Sequence, residues 1–276
     1  MSDKSLGTLI KEYRKTIKMS QSELALNICT QPLISAIENN KYIPNGIILI
    51  KIFNKLGIDP NELTLNDNFE ISQNVNVNKK MVRLCNDHKY KELYYLLIKD
   101  DTINSISNDI QEQAYYYYLA IAILQFKNNY NDAILNFKLS LTLKNNTKDS
   151  NLLERLSEAS IAYVYSLKGN TNLSNININK AVEKISEFDF VPDQLIIFYL
   201  AALSSYNIKD YLSTIRFINQ LIGTATKNDS PYMLANTYYL LSVVASKTEN
   251  FELFKSAKNR ENVIHDLFGE KIFKNI

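Results

Sequence analysis

The stretch Ser20–Glu38, SQSELALNICTQPLISAIE, holds the most specific constellation in this 276-residue chain. Turning Ile34 and Ile37 inward at helical spacing leaves Gln31, Pro32, Ser35 and Ala36 on one outward face. An amide, a ring, a hydroxyl and a methyl group suit the reading of base edges. Gln31 can pair bidentately with adenine, and a Pro32 ring or Ala36 methyl can meet a thymine methyl. This face carries no arginine, so strong guanine readout is not expected.

Bond-breaking chemistry is not expected. His88 and His265 are the chain's only histidines, and neither stands at metal-ligand spacing from another His or Cys. The sequence has no phosphate-binding glycine loop, zincin helix or nucleophile elbow, so no catalytic residue, metal or cofactor is assigned. Cys29 and Cys85 stand far apart with no CxxC, which fits a reducing cytoplasm. Cys29 reads as a small buried residue. The charged start MSDKSLGTLIKEYRK lacks a signal-peptide core, and no apolar run is long enough to span a membrane.

Two short helices and a tight turn must hold the outward face. Ser20 and Glu23 have the spacing of a capping box. Leu24 and Ile28 form an apolar stripe, and Ala25 is small where another helix must cross. Thr30 can cap the second helix, whose first turn tolerates Pro32. This is a helix-turn-helix layout, with the second helix destined for a major groove. An earlier helix is expected over Ser5–Ile17, with Leu6, Leu9, Ile10, Tyr13 and Ile17 inward. A later one spans Gly46–Leu56 and stops at Gly57, and a short fifth runs from Asp59-Pro60 to near Leu65. Residues 1–66 hold 8 Lys+Arg against 6 Asp+Glu, while the remainder balances at 23 against 23. So weak a basic excess predicts modest, salt-dependent DNA affinity and a dimer on the DNA.

Residues 5–65 resemble the phage-repressor-like helix-turn-helix family through Gln21, Glu23, Leu24, Ala25, Ile34, Ile37 and Glu38. The resemblance implies an ion pair between Arg14 and Glu38, read here as a buried tether between two helices. It implies phosphate contacts by Gln21, Asn40 and Lys41, which set register without reading sequence. Base readout then falls to Thr30, Gln31, Pro32, Ser35 and Ala36. Thr30 is equally readable as a cap alone, and Pro32 as a helix starter alone.

Beyond a polar stretch the chain becomes periodic. Tyr90, Tyr130, Tyr211 and Phe251 open helices at multiples of about 40 residues, with Leu173 filling the skipped register. A fixed period of helix hairpins means a stacked solenoid. The expected architecture is all-α: a five-helix domain over 1–66, a linker over 67–78, and a right-handed array of about five hairpins over 79–276. The hairpins resemble degenerate tetratricopeptide repeats, whose first helices line a concave groove. That register places Asn78, Val82, Asn86, Tyr115, Tyr118, Ala122, Gln125, Ala159, Tyr163 and Ser166 in the groove. Tyr199, Leu203, Tyr206, Asn236, Tyr239 and Val243 continue it. Within Tyr115–Tyr118 the four rings cannot share a face, and Tyr117 is expected in the core.

The whole arrangement resembles the peptide-pheromone receptors of Gram-positive bacteria, the Rgg–Rap–NprR–PlcR–PrgX group, and is most like PlcR-type regulators. The likeness lies in QSELALNICTQPLISAIE, KLGIDPNEL, MVRLCNDHKYKELY and the Tyr238-Tyr239 region. It implies a cytoplasmic homodimeric transcription factor on an inverted-repeat, double-stranded operator. A short signalling peptide would bind in its groove through Asn78, Asn86, Tyr115, Tyr118, Gln125, Tyr163, Tyr199, Tyr206, Asn236 and Tyr239. The family often holds the peptide backbone with groove asparagines, where this chain has Ala159, Tyr163 and Leu200 at matching places. The alternative is a helix-turn-helix regulator whose array serves only dimerisation or a protein partner. From its rings and amides, the groove is expected to prefer an uncharged or apolar peptide and to leave Asn236 open to solvent.

Overall fold

Every helix leaves unpaired N–H groups at its start and unpaired carbonyls at its end, and this chain is built from helix after helix. The computed structural model describes residues 6–42, 44–57, 69–72, 74–143, 151–188 and 190–274, and all regular elements among them are helical. The chain divides into two compact units, residues 1–67 and 68–276.

The first unit contains α1 (Leu6–Thr16), α2 (Gln21–Ala25), α3 (Gln31–Glu38) and α4 (Gly46–Leu56). Ile10, Leu24, Ala25, Ile34, Ile37, Ile52, Phe53 and Leu56 form its core. Ile17 is 45% exposed rather than inward, because α1 ends at Thr16 and the chain reverses at Lys18, where φ is +56°. The stripe expected on α2 is shorter too: the helix stops at Ala25, and Ile28 is half-buried in the following turn. Gly7 sits where α1 crosses the end of α3. A Cβ there would come within 2.0 Å of the Ile37 carbonyl oxygen, so only glycine permits the approach. Asn45 caps α4, and Gly57 ends it with φ +68°. The fifth helix expected up to Leu65 and the inward side chain of Leu9 lie outside the described residues.

The second unit stacks five hairpins: α5 (Val75–Asn86) with α6 (Tyr90–Leu97), α8 (Asp109–Ala122) with α9 (Tyr130–Thr142), α10 (Leu152–Leu167) with α11 (Thr171–Val182), α12 (Gln194–Asn207) with α13 (Tyr211–Lys227), and α14 (Leu234–Lys247) with α15 (Phe251–Phe268). A one-turn α7 (Asp100–Ile103) lies between the first two, and α8 continues as a π-helix over Ile123–Lys127. One apolar core runs through all five, and Tyr117 belongs to it. The buried Arg155 guanidinium binds the Ala181 carbonyl at 3.1 Å and that of Glu183, neutralising the C-terminal end of α11.

The period is set by one turn, used five times. His88, Asn128, Gly169, Lys209 and Glu249 all adopt the left-handed conformation, at intervals of 40 or 41 residues. After four of them the next N–H reaches back five residues in a Schellman closure: Lys89 to Leu84, Asn170 to Tyr165, Asp210 to Ser205 and Asn250 to Ala245, at 2.8–2.9 Å. Asn129, Asn170, Asp210 and Asn250 each cap the following helix through a backbone N–H three residues on. The aromatic residue is the first residue of that helix. Thr171, rather than the expected Leu173, therefore occupies its place in the third hairpin.

Only one of the five left-handed positions is glycine, and each of the others carries a Cβ penalty. Lys209→Gly, at an exposed turn, should raise the unfolding free energy of the array by about 1 kcal/mol. The check is urea denaturation, with an unchanged m-value and a raised midpoint.

Candidate nucleic-acid interface and inner groove

The outward face of the first unit is tied to its core by a chain of side chains. Arg14, 8% exposed, meets Glu38, 2% exposed, through Nε–Oε1 at 2.5 Å and Nη2–Oε2 at 2.8 Å. The same guanidinium donates to the Met19 carbonyl at 2.7 Å, fixing the turn before α2. Gln21 Nε2 donates to Glu38 Oε2 at 2.8 Å, and Gln31 Nε2 donates to Gln21 Oε1 at 2.8 Å. Burial pushes the Glu38 carboxyl up, but hydrogen bonds from Arg14 and Gln21 bring it below its ordinary value. The Glu38 bond in turn raises Arg14.

Gln31, Pro32, Thr30, Asn40 and Lys41 are exposed, and Ser35 and Ala36 are partly exposed. Ser20 and Glu23 complete the capping box, at 3.1 Å and 2.6 Å. Thr30 does not cap α3 with its side chain: its backbone is extended there, but only its carbonyl serves the helix, accepting from Leu33 and Ile34. Its hydroxyl is left on the surface. Gln21 is placed as an internal strut, and Asn40 Oδ1 accepts the Gly7 N–H at 3.0 Å. Both residues brace the elements that carry the face. Cys29 is half-buried in the turn between α2 and α3, and burial raises its thiol.

The array residues divide differently. Asn78 is buried and structural: its Oδ1 accepts from Ile71 N at 3.1 Å and its Nδ2 donates to the Ser72 carbonyl at 2.8 Å. The start of the array is thus pinned by a side chain that is not available to a ligand. Asn86 is exposed, while Gln125 and Tyr206 are partly buried, Tyr206 lying against Tyr211 at 6.0 Å. Tyr115 packs edge-on to Tyr116, and Tyr118 to Tyr117. Tyr163 and Tyr199 are each 5% exposed. Burial first, then neighbouring hydroxyls, raise both, Tyr163 to about 12. The Tyr199 hydroxyl is buried with no hydrogen-bond partner. Tyr239 is partly buried, beneath the Lys258 ammonium at 5.5 Å.

Asn236 is not open. It is 2% exposed and covered by the segment after α15. Its Nδ2 donates to Glu270 Oε1 at 2.5 Å and to the Lys271 carbonyl at 3.1 Å, while its Oδ1 accepts the Phe273 N–H at 2.7 Å. An apolar-looking strip did not reveal that a later part of the chain would reach it. Sequence reasoning also passed over Asp193. It stands where an aspartate normally caps a helix, before α12, but makes no side-chain cap. Burial pushes its carboxyl up to about 7, and its charge bears on Cys85, Tyr117, Tyr118 and Tyr232.

Residues 10–63 match the helix-turn-helix family. No curated protein matches the chain. Its fold is that of PlcR from Bacillus thuringiensis, solved in complex with the peptide PapR7 and DNA: 20% identity, TM-score 0.62, covering 97% of this chain and 96% of that one. The apo form of PlcR gives 18% identity and a TM-score of 0.59, covering 96% and 94%. ComR from S. thermophilus, in complex with DNA and its signalling peptide ComS, gives 13% identity and 0.42, covering 94% and 99%. No helix among the described residues is long and apolar enough to cross a membrane, and none of their His, Cys, Asp and Glu side chains cluster as a metal site.

Arg14→Ala should destabilise the helix-turn-helix domain by about 3–5 kcal/mol, because it strands the Glu38 carboxylate in the core. Amide exchange of α1–α3, compared with exchange in the array, measures it. Asp193 gives a pH test. Its folded pKa lies above the ordinary value, so the native array binds the proton more tightly and loses stability as pH rises from about 4 to about 7. Asp193→Asn should therefore stabilise the array at pH 8 and do little near pH 4, as read by thermal melts at both pH values.

Proposed function

We propose that this protein is a cytoplasmic, homodimeric transcription regulator that binds an inverted-repeat operator and is controlled by a short signalling peptide held inside its repeat array. The observation that carries the reading is the paired bond from Asn236 to a carbonyl and an N–H of one non-helical segment, on the first helix of the last hairpin. That is how a side-chain amide holds a peptide backbone. The helix-turn-helix domain supplies the DNA arm, and the PlcR-like fold, solved with peptide and DNA in that protein, supports the pairing of the two functions. Gln31, Pro32, Ser35 and Ala36 read bases, and Lys41 holds phosphate.

An array that serves only dimerisation or a protein partner is favoured by one feature: the chain itself already satisfies Asn236. Anisotropy of labelled promoter DNA, titrated with peptides encoded beside the gene, separates the two. Under the proposed reading one such peptide changes DNA affinity; under the second none does. Gln31→Ala should cost about 1–3 kcal/mol and relax preference at one base pair. Lys41→Ala should weaken all sequences alike and lower the salt slope by about one. Identical selectivity profiles for these two variants would show that α3 is not the reading helix.

A further inference from the structure

The segment that covers Asn236 is chemically specific. The Glu270 carboxylate lies at the start of α14, where it accepts from Ala235 N at 3.0 Å, Asn236 N at 3.2 Å and Asn236 Nδ2 at 2.5 Å. The two backbone N–H groups are donors that a helix leaves unpaired at its first turn, and a carboxylate is their natural acceptor. Lys271, the next residue, reaches the opposite end of the array. Its Nζ donates to Asp87 Oδ1 at 2.7 Å, and its carbonyl meets His88 Nε2 at 3.1 Å. Phe273 then packs on the array core, with its ring 5.9 Å from that of His88.

Adjacent residues of one segment therefore touch the first and the fifth hairpin and bridge them. Its backbone is held by Asn236 as a separate peptide would be. We propose that this site recognises a segment bearing a carboxylate and, three residues on, an aromatic ring, and that Glu270–Phe273 is its resident occupant, which a peptide bearing such a carboxylate must displace. The proposal rests on the peptide-receptor reading and gives it a ligand class. It replaces the expectation of an uncharged peptide, because the start of α14 and Asp87 offer a counterpart for each sign of charge.

The test uses the full chain and a labelled synthetic hexapeptide Gly-Glu-Lys-Ile-Phe-Lys, identical to residues 269–274. Fluorescence anisotropy should show little binding to the wild type. A full-length Glu270→Gln, Phe273→Ala variant, whose own strand is weakened, should bind the hexapeptide at least tenfold more tightly. The same hexapeptide with Gln in place of Glu should lose at least tenfold on that variant. Amide exchange should show residues 270–274 released in the variant while α14 stays protected, which separates loss of the occupant from misfolding. Equal binding to wild type and variant, equal binding of the Glu and Gln peptides, or no binding to a variant with released strand and protected α14 would each overturn the proposal. The assay contains no DNA, so failure of peptide-controlled DNA binding and failure of this occupancy are read separately.

Discussion

The hydrogen-bonding demand of helix ends governs this molecule. Apolar packing sets the crossing angles of these short helices, and their ends set where each starts and stops. The capping box at Ser20 and Glu23 starts α2, the Asn40 side chain receives a donor from the first turn of α1, and Arg155 covers the exit of α11. The left-handed turns recur every 40 or 41 residues, and those at Gly169, Lys209 and Glu249 both close one helix and cap the next, so the array inherits a constant step. At α14 the donors are met by Glu270 instead, from a distant part of the chain. The same rule that builds the scaffold thus also builds its ligand-like contact.

The Arg14–Glu38 pair has a second property besides tethering two helices. Through Gln21 it continues to Gln31 on the outward face, so a surface side chain is oriented by a buried charge. A desolvated ion pair contributes uncertain net stability, but losing one partner is costly, and this makes the geometry of the face hard to vary. The domain offers few positive charges to DNA, and a pre-oriented contact spends less conformational freedom on binding.

Much of this was legible in the sequence. Helix boundaries were sharp where a cap and a stop coincide, as at Asn45 and Gly57 around α4. The 40-residue period was visible from the aromatic residues alone, although the feature that generates it, a left-handed turn followed in four of five cases by Asn or Asp, is disguised because His88, Asn128, Lys209 and Glu249 stand where glycine signals such a turn. Gly7 carried no signal, since its need arises from the crossing of α1 over α3. The groove was harder to read. Asn78 and Asn236 both lie on the first helix of a hairpin, yet one binds the segment leading into that helix and the other a segment some 35 residues ahead. Local pattern specifies that a buried amide needs partners, and it does not name them.

Stacked repeats are ordinarily open-ended, since each touches only its neighbours and units can be added or lost without changing the step. Here the strand after α15 joins the last hairpin to the first through two consecutive residues, Glu270 and Lys271. One carbonyl, that of Lys271, lies 3.1 Å from both Asn236 Nδ2 of the last hairpin and His88 Nε2 of the first, so the two ends of the stack approach at these side chains. The segment is thus a clasp: it makes neighbours of the first and last repeats, in an architecture that otherwise gives each repeat only the next one to touch.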